Sequence, residues 1–407
     1  GSLAQMDAAM RLPIAIAGAL MPDAHVGYGL PIGGVLAVDQ AVIPFAVGVD
    51  IACRMRLSLF PVSPYMLGQQ KAVFENALRQ QTRFGVGAEW KGADRPEHAV
   101  LDDPDWQATA QLKSLVAQAE RQLGTSGSGN HFVEWGRFRL YEALGELAPG
   151  EYLALLSHSG SRGIGYKIAD RYSKLAMQLH PDLDQNLRHL AWLNLNSEPG
   201  QEYWLSMQLA GRFAAANHAI IHQRVAAAAG LVAAVMVENH HNFAWKEQLP
   251  DGREVIVHRK GATPAGAGVL GIIPGSMGDA GYLVRGKGAA ASLASASHGA
   301  GRKMSRKAAL DSISKAEREA YLKERGVTSQ GGGMDEPPQA YAPTDEVIAA
   351  QQGRRINHLG ILLKKCVKQL AHNANHAGVF ILVQLWPGLR AYPGGGQQSN
   401  FNPLRTG

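Results

Sequence analysis

A chain of 407 residues, 46% hydrophobic and 18% charged, can bury a large core, which excludes a disordered polypeptide. Its two cysteines, Cys53 and Cys366, exclude a disulfide framework and fit a reducing compartment, and no apolar run is long enough to span a bilayer. The N-terminus lacks the basic-then-apolar pattern of a secretory signal, so a cytoplasmic protein with no membrane partner is expected, and the net charge of +6 permits a polyanionic partner without requiring one.

In chain order, residues 17–60 read as short apolar strands broken by glycine and proline, over 33–38, 46–49 and 55–60. Helical periodicity follows over 65–83 and again over 106–123, the latter ending near Gly124. A strand at 152–156 runs into a Ser/Gly/His loop. Helices are expected over 166–179 and 202–229, the second with Leu205, Leu209, Phe213 and Ile220 along one face. Strands and glycine-rich turns dominate 231–282, a charged helical region covers 302–325, and the run from Gln330 to Gly333 predicts a flexible break. Strand and helix are mixed along the whole length without an internal repeat. That pattern favours one α+β (mixed α/β) domain over separable units.

Histidine placement carries the chemical information. Of fifteen histidines, His25, His131, His158, His241 and His298 lie in short clusters of Gly, Ser and Asn rather than among apolar neighbours. The clusters include Gly127-Ser128-Gly129-Asn130-His131, Ser157-His158-Ser159-Gly160-Ser161-Arg162 and Ser297-His298-Gly299-Ala300-Gly301-Arg302. Asp50 and Cys53, three apart after an apolar segment, add a carboxylate and a thiolate. The set suffices for one or two divalent metals, and manganese, iron and zinc all suit it by softness. His218 and His222 have the helical spacing of a zinc pair, but no glutamate stands between them in the protease pattern, so a surface or interhelix pair is expected. His25 reads as a residue that orients a neighbour or caps a turn. The run Ile273-Pro274-Gly275-Ser276-Met277-Gly278 offers consecutive backbone N–H groups suited to an anion. Positive charge lies beside similar turns at Arg259, Lys260 and Arg162. Neither a Walker A loop nor a dinucleotide-binding fingerprint is present.

Several longer segments then become recognisable together. Val47-Gly-Val-Asp50-Ile-Ala-Cys53, Gly129-Asn-His-Phe-Val-Glu134, His158-Ser-Gly-Ser-Arg162, Glu238-Asn-His-His-Asn242, Arg259-Lys-Gly-Ala-Thr263, Pro274-Gly-Ser-Met-Gly278 and Ser297-His-Gly-Ala-Gly-Arg302 occur in one order. In that order they resemble the signature segments of the RtcB family of RNA-splicing ligases. The likeness runs from about Met21 to about Gln352.

The resemblance implies mixed sheets flanked by helices around a site for two manganese ions, held by Asp50, Cys53, His131, His158 and His241. It implies that His298 is the histidine that takes a guanylate from GTP. Asn130, Glu134, Ser276 and the loop residues Gly299, Ala300, Gly301 and Arg302 then contact the guanine nucleotide, with Tyr341 packed near the guanine. Arg162 and Lys260 are expected on the substrate phosphate. The substrates implied are RNA ends, a 2′,3′-cyclic phosphate or 3′-phosphate on one side and a 5′-hydroxyl on the other. A cyclic phosphodiesterase that no longer ligates, and a non-catalytic RNA-end binder, are the competing readings.

Beyond Gln352 the likeness fades. Residues 1–352 are therefore expected to form the catalytic domain and 353–407 a divergent C-terminal segment. Within that segment, residues 354–366 read as helix-like and 379–386 as an apolar run. His372 and His376 read as an exposed helix face, and the end from Pro393 onward as disordered. Ala342 stands where the family often has a lysine.

Overall fold

The strand Phe132–Leu140 organises the larger sheet, because its residues alternate between two apolar cores. In the computed structural model, which describes residues 1–363 and the strand backbone at 367–370, this strand pairs antiparallel with Gly150–Ser159, from Phe132 opposite His158 to Leu140 opposite Gly150. Its other edge takes Ile356–Leu363 and, nearer its start, Val367–Leu370. The nine-stranded sheet runs in the order Leu270–Ile273, Gly281–Gly286, Ile356–Leu363, Phe132–Leu140, Gly150–Ser159, Arg54–Phe60, Val235–His240, with Thr328–Gly331 paired in parallel to Val367–Leu370. Successive side chains point to opposite faces of a strand. Accordingly Met55, Leu57, Phe132, Phe138 and Leu156 fill one core, while Phe60, Val133, Trp135, Leu153 and Leu155 fill the other.

The long helix Glu198–Ala228 covers the second of those faces, placing Ile221 and Val225 against Trp135 and its neighbours. Ser197 starts it by accepting the Gly200 N–H at 3.3 Å, with a proline in the first turn. A second sheet, in the order Ala15–His25, Ile32–Val38, Glu254–Lys260, Asn242–Gln248, stands beside the first. The two sheets meet at His241, the residue between Val235–His240 and Asn242–Gln248. Cys53 immediately precedes Arg54–Phe60, His131 immediately precedes Phe132–Leu140, and His158 is the penultimate residue of Gly150–Ser159. Antiparallel pairing therefore brings the ends that carry these residues to one edge of the sheet.

The α+β architecture agrees with the sequence reading, and several elements differ from it locally. Residues 46–49 are not a strand. Pro44–Val47 is a single helical turn, because Pro44 holds a helical φ at its start and Gly48, at φ +102°, ends it. The 65–83 region breaks at Gln70 into Met66–Gln69 and Lys71–Gln81. Residues 106–123 divide into a tight turn, Pro104–Gln107, and the helix Ala110–Gln122, which Thr109 caps by accepting the Leu112 N–H at 3.1 Å. The 302–325 region is likewise two helices, Arg306–Ser312 and Lys315–Glu324, each started by a serine cap.

Two further corrections concern long-range pairing. The glycine run from Gln330 does not begin a free break, since Gln330 and Gly331 end the strand Thr328–Gly331. Residues 356–363 are strand rather than helix-like, because a strand there is hydrogen-bonded on both sides. His372, His376, the apolar run at 379–386 and the segment from Pro393 lie outside the described residues. Among the described residues no helix is long and apolar enough to cross a membrane.

Trp135 is 1% exposed and meets Phe74 edge-to-face at 5.1 Å and Phe60 at 5.5 Å. Trp135→Ala is expected to lower unfolding free energy by about 3–5 kcal/mol, the cost of a large cavity that cannot close. Urea denaturation followed by circular dichroism measures it, and a loss below about 1 kcal/mol would mean the two faces are not separately packed.

Candidate active site and metal centre

Asp50 and Cys53 face the same way because the backbone between them turns sharply. Ala52 holds φ +56°, and the Cys53 N–H donates to the Asp50 carbonyl at 3.2 Å. A left-handed alanine is strained by roughly 1–3 kcal/mol, and the Ala52 N–H bond to the Asn242 carbonyl at 2.7 Å helps to hold it. Asn242 also donates from its side chain to the Asp50 carbonyl at 3.3 Å and accepts the Gly261 N–H at 2.8 Å. Two glycines of the sequence clusters serve close approach of side chains. A Cβ at Gly160 would stand 2.3 Å from Asp50 Oδ1, and one at Gly127 would stand 2.0 Å from His131 Nδ1.

Five donor groups converge. His131 Nε2 lies 3.0 Å from Asp50 Oδ2 and 3.4 Å from Cys53 Sγ. His158 Nε2 lies 3.1 Å from Cys53 Sγ and 3.3 Å from His241 Nε2. The His158 Nδ1–H donates to the Asn130 carbonyl at 3.0 Å, which fixes the tautomer and leaves Nε2 as a lone pair facing the cluster. All of these groups except Asp50 are buried. Burial pushes the Cys53 thiol well above its ordinary pKa, with the Asp50 carboxylate adding to the effect. Burial also drives His158 down to about 3, assisted by His131, and His241 well below its ordinary value, assisted by His298. Partial burial opposes ionisation of Asp50, yet the His131 hydrogen bond and charge bring its carboxyl below the usual range. The thiol, carboxylate and imidazoles stand a little over 3 Å from one another and satisfy each other only by hydrogen bonds within the cluster, and this donor set fits borderline divalent ions. Cys53, His131 and His158 by themselves bring their ligand atoms within 4.8 Å of one another.

His298 stands beside this cluster, its ring 5.0 Å from that of His241. It follows the strand Ser295–Ser297, which pairs with Ala262–Pro264. One carboxylate oxygen of Asp23 accepts three hydrogen bonds, from His298 Nδ1 at 2.7 Å and from the N–H groups of His298 and Gly299 at 3.1 and 3.2 Å. The Asp23 side chain is fully buried. The imidazole is thus locked with Nδ1 engaged and Nε2 available.

Two cavities open on this point. One is lined by the 274–277 turn, His298 to Arg302, Glu336 and Tyr341. The other, of about 510 Å³, is lined by Asp50, Cys53, His131, His241, Lys260 and Tyr28. They share His25, Ile32, Asn130, His298, Arg302 and Arg306. In the first cavity Arg302 pairs with Glu336, donates to the Tyr341 hydroxyl at 3.1 Å and lies 5.1 Å from the Tyr341 ring. Tyr341 also donates to Glu336, and Arg306 reaches Glu336 at 2.7 Å. In the second, Lys260 donates to the Tyr28 carbonyl, and burial lowers its pKa to about 7.

The remaining expected residues lie further out. Glu134 is buried on Phe132–Leu140, opposite Lys368 in register, and lines neither cavity. Arg162, lowered by burial to a pKa of about 10, donates to Thr125 Oγ1 at 3.0 Å and to the Gly85 carbonyl at 3.1 Å, close behind Asp50. Arg259 is buried and paired with Glu247, so it adds no free charge to the turn it precedes. His240 points away from the cluster and stacks on Trp245.

His218 and His222 are neither a surface pair nor an interhelix pair, since they join the long helix to two strands. Both are buried, bridged by Ser157 Oγ at 2.7 and 2.8 Å, with Ser58 Oγ 2.7 Å from His222. Sequence reasoning missed Asp23, Asn242, Glu336 and Arg306. Asp23 was visible only as a carboxylate two residues before His25, with 275 residues separating it from its partner.

A family model described as "tRNA-splicing ligase RtcB" matches residues 5–368. The chain is 34% identical over 358 residues to the RNA-splicing ligase RtcB1 of Escherichia coli, covering 82% of this chain and 85% of that protein. It is 33% identical over 412 residues to the tRNA-splicing ligase RtcB of Nanoarchaeum equitans, with 84% of each covered. It is 32% identical over 405 residues to the RNA-splicing ligase RtcB of Mycobacterium tuberculosis, covering 81% of this chain and 91% of that one.

Two outcomes follow from the site. Cys53→Ala is expected to weaken divalent-metal binding by more than about tenfold, read by titration of the metal-free protein with manganese, and unchanged affinity would remove Cys53 from the donor set. The second concerns acid. Burial lowers His258 to about 4 and holds His218 and His222 well below their ordinary value. These rings stay neutral in the native state and take up protons on unfolding, so the unfolded state binds more protons from about pH 6.5 down to about pH 4. Stability is therefore lost as pH falls through that window, by roughly 1.4 kcal/mol per pH unit for each such histidine. Melting temperature of the metal-free protein should drop steadily between about pH 7 and about pH 5, and a flat profile would show that these rings protonate in the folded state.

Proposed function

Because this chain belongs to the RtcB family of RNA-splicing ligases and is an RNA ligase, we propose that it joins RNA ends in a manganese- and GTP-dependent reaction with His298 as the guanylate carrier. The observation that carries the reading is the Asp23–His298 pair at the wall common to both cavities. With Nδ1–H donated to Asp23, neutral His298 offers Nε2 as a nucleophile toward the α-phosphorus of GTP. The Nε2–P bond forms as the bond to the pyrophosphate oxygen breaks. Asp23 then faces the positive ring that results, which favours the transition state electrostatically.

The guanine nucleotide belongs in the cavity of the 274–277 turn. There the backbone N–H groups around Ser276 and the loop Gly299, Ala300 and Gly301 suit the phosphates. Arg302, Asn130 and Tyr341 border it, and Glu134 is proposed to act from the adjoining strand. In the other cavity an RNA end bearing a 2′,3′-cyclic phosphate or 3′-phosphate meets a 5′-hydroxyl. Lys260 supplies charge for the substrate phosphate from the cavity wall, and Arg162 from behind Asp50. Asp50, Cys53, His131, His158 and His241 would hold two manganese ions, which when bound neutralise charge on phosphoryl oxygens. Residues 1–352 hold every side chain in this scheme, and the catalytic domain is proposed to run on through the strand Ile356–Leu363, which sits within its sheet. The free thiol of Cys53 suits the cytoplasm, the compartment we assign.

Incubation with α-labelled GTP and manganese should give protein carrying acid-labile guanylate, with none in His298→Ala. Asp23→Asn should slow labelling about 10²–10⁴-fold, since the amide can no longer hold the reactive tautomer. Wild-type protein that takes no label would overturn the reading. Opening of a cyclic phosphate by that unlabelled protein would point to the phosphodiesterase instead.

A further inference from the structure

Single exposed aromatic side chains are ordinary on protein surfaces, so the 71% exposure of Tyr28 carries nothing by itself. Its place does. Among the described residues the other exposed tyrosines, Tyr65, Tyr141 and Tyr166, line neither cavity of the site, whereas Tyr28 lines the one that contains Asp50, Cys53, His131 and His241.

The loop that presents it, between Ala15–His25 and Ile32–Val38, is held at successive residues. The Gly27 N–H donates to Gln5 Oε1 at 3.0 Å, and Gln5 Nε2 donates back to the Gly27 carbonyl. Lys260 donates to the Tyr28 carbonyl. Gly29 sits at φ +68°, where a Cβ would stand 2.8 Å from the His189 carbonyl oxygen, so the chain is pressed against that residue. The His189 ring supports the Tyr28 ring edge-to-face at 5.9 Å and is itself backed by Phe45 at 4.7 Å. An aromatic ring on a clamped loop binds a planar group without a large loss of its own freedom.

The cavity is two-sided. Val26, Tyr28, Phe45 and Val49 form an apolar rim, with Val26 and Val49 also exposed, while Lys260, Arg302 and Arg306 line the same space with positive charge. A ligand that fits both is a nucleotide unit, with a flat base for the rim and a phosphate for the cations. Single-stranded RNA ends have unpaired bases, and aromatic platforms bind such bases by stacking with little regard for sequence.

We propose that Tyr28 stacks on the terminal nucleobase of an RNA end and so holds its terminal phosphate or hydroxyl over the buried ligand cluster. The inference rests on the RNA-ligase reading of the same site and adds a substrate-positioning residue to it. Tyr28 lines the RNA cavity and not the guanine-nucleotide cavity, so it acts on RNA binding and not on guanylylation.

The test uses the full-length, manganese-loaded protein and RNA oligonucleotides carrying 2-aminopurine at the terminal position, one with a 3′-phosphate and one with a 5′-hydroxyl. Wild type and Tyr28→Phe should quench the fluorescence of at least one of them on binding. Tyr28→Ala should lose the quench and bind that RNA about 5- to 100-fold more weakly, raising KM for ligation more than it lowers kcat. Tyr65→Ala should behave as wild type. Labelling of His298 by GTP should be unchanged in Tyr28→Ala, which separates this proposal from the reading beneath it. Absent labelling in wild type counts against the ligase reading. Normal labelling together with RNA that binds without quenching, or that binds equally well to Tyr28→Ala, overturns the role of Tyr28.

Discussion

The convergence of Asp50, Cys53, His131, His158 and His241 is the constraint on which the rest of the structure depends. Their sulfur and nitrogen atoms are held 3.1–3.4 Å apart, mostly out of water. Burying so many polar atoms in one place is costly, so the cluster has to be held by elements that cannot relax. The enforcement comes from antiparallel pairing. His158 is fixed opposite both Met55 and Phe132, and Arg54 is fixed opposite His240. A slip of one residue in any of these pairs would turn the donor to the opposite face of the sheet.

Behind the donors a second layer holds their orientation. Asn130 fixes the His158 tautomer, Asn242 ties the Asp50 segment to the Gly261 turn, and Ser157 joins the strand of His158 to the His218–His222 pair on the long helix. These histidines are buried and neutral, so they contribute order at neutral pH and become a liability in acid. The same principle governs His298. Its ring is aimed by a single buried oxygen of Asp23 that also binds two backbone N–H groups, and a three-way contact leaves the imidazole little freedom to rotate.

Charge in the site is distributed by pairing rather than by composition. Arg259 is neutralised by Glu247, and Arg302 and Arg306 share Glu336, while Lys260 donates to the Tyr28 carbonyl and no carboxylate pairs with it among the described residues, its pKa lowered by burial to about 7. A net charge of +6 over the whole chain does not convey which cations face a substrate.

Much of the site was legible from residue type alone. Histidines among Gly, Ser and Asn, together with Asp50 and Cys53, marked a pool of candidate donors, and the resemblance to the RtcB family narrowed it to Asp50, Cys53, His131, His158 and His241. Period-2 and period-3.6 patterns marked most strands and helices, because each segment's own side chains decide which face is apolar. What no local pattern carried were contacts between distant segments. The carboxylate that orients His298 comes from Asp23, and the apparent zinc pair at His218 and His222 is a buried hydrogen-bonded link to Ser157. Residues 356–363 look helix-like by themselves and become a strand because two neighbours offer hydrogen bonds on both edges. The sequence by itself determined which groups are available for chemistry, since that is a property of each side chain. Tertiary structure alone decided which of them meet, since register and sheet junctions are set by the packing of segments far apart in the chain.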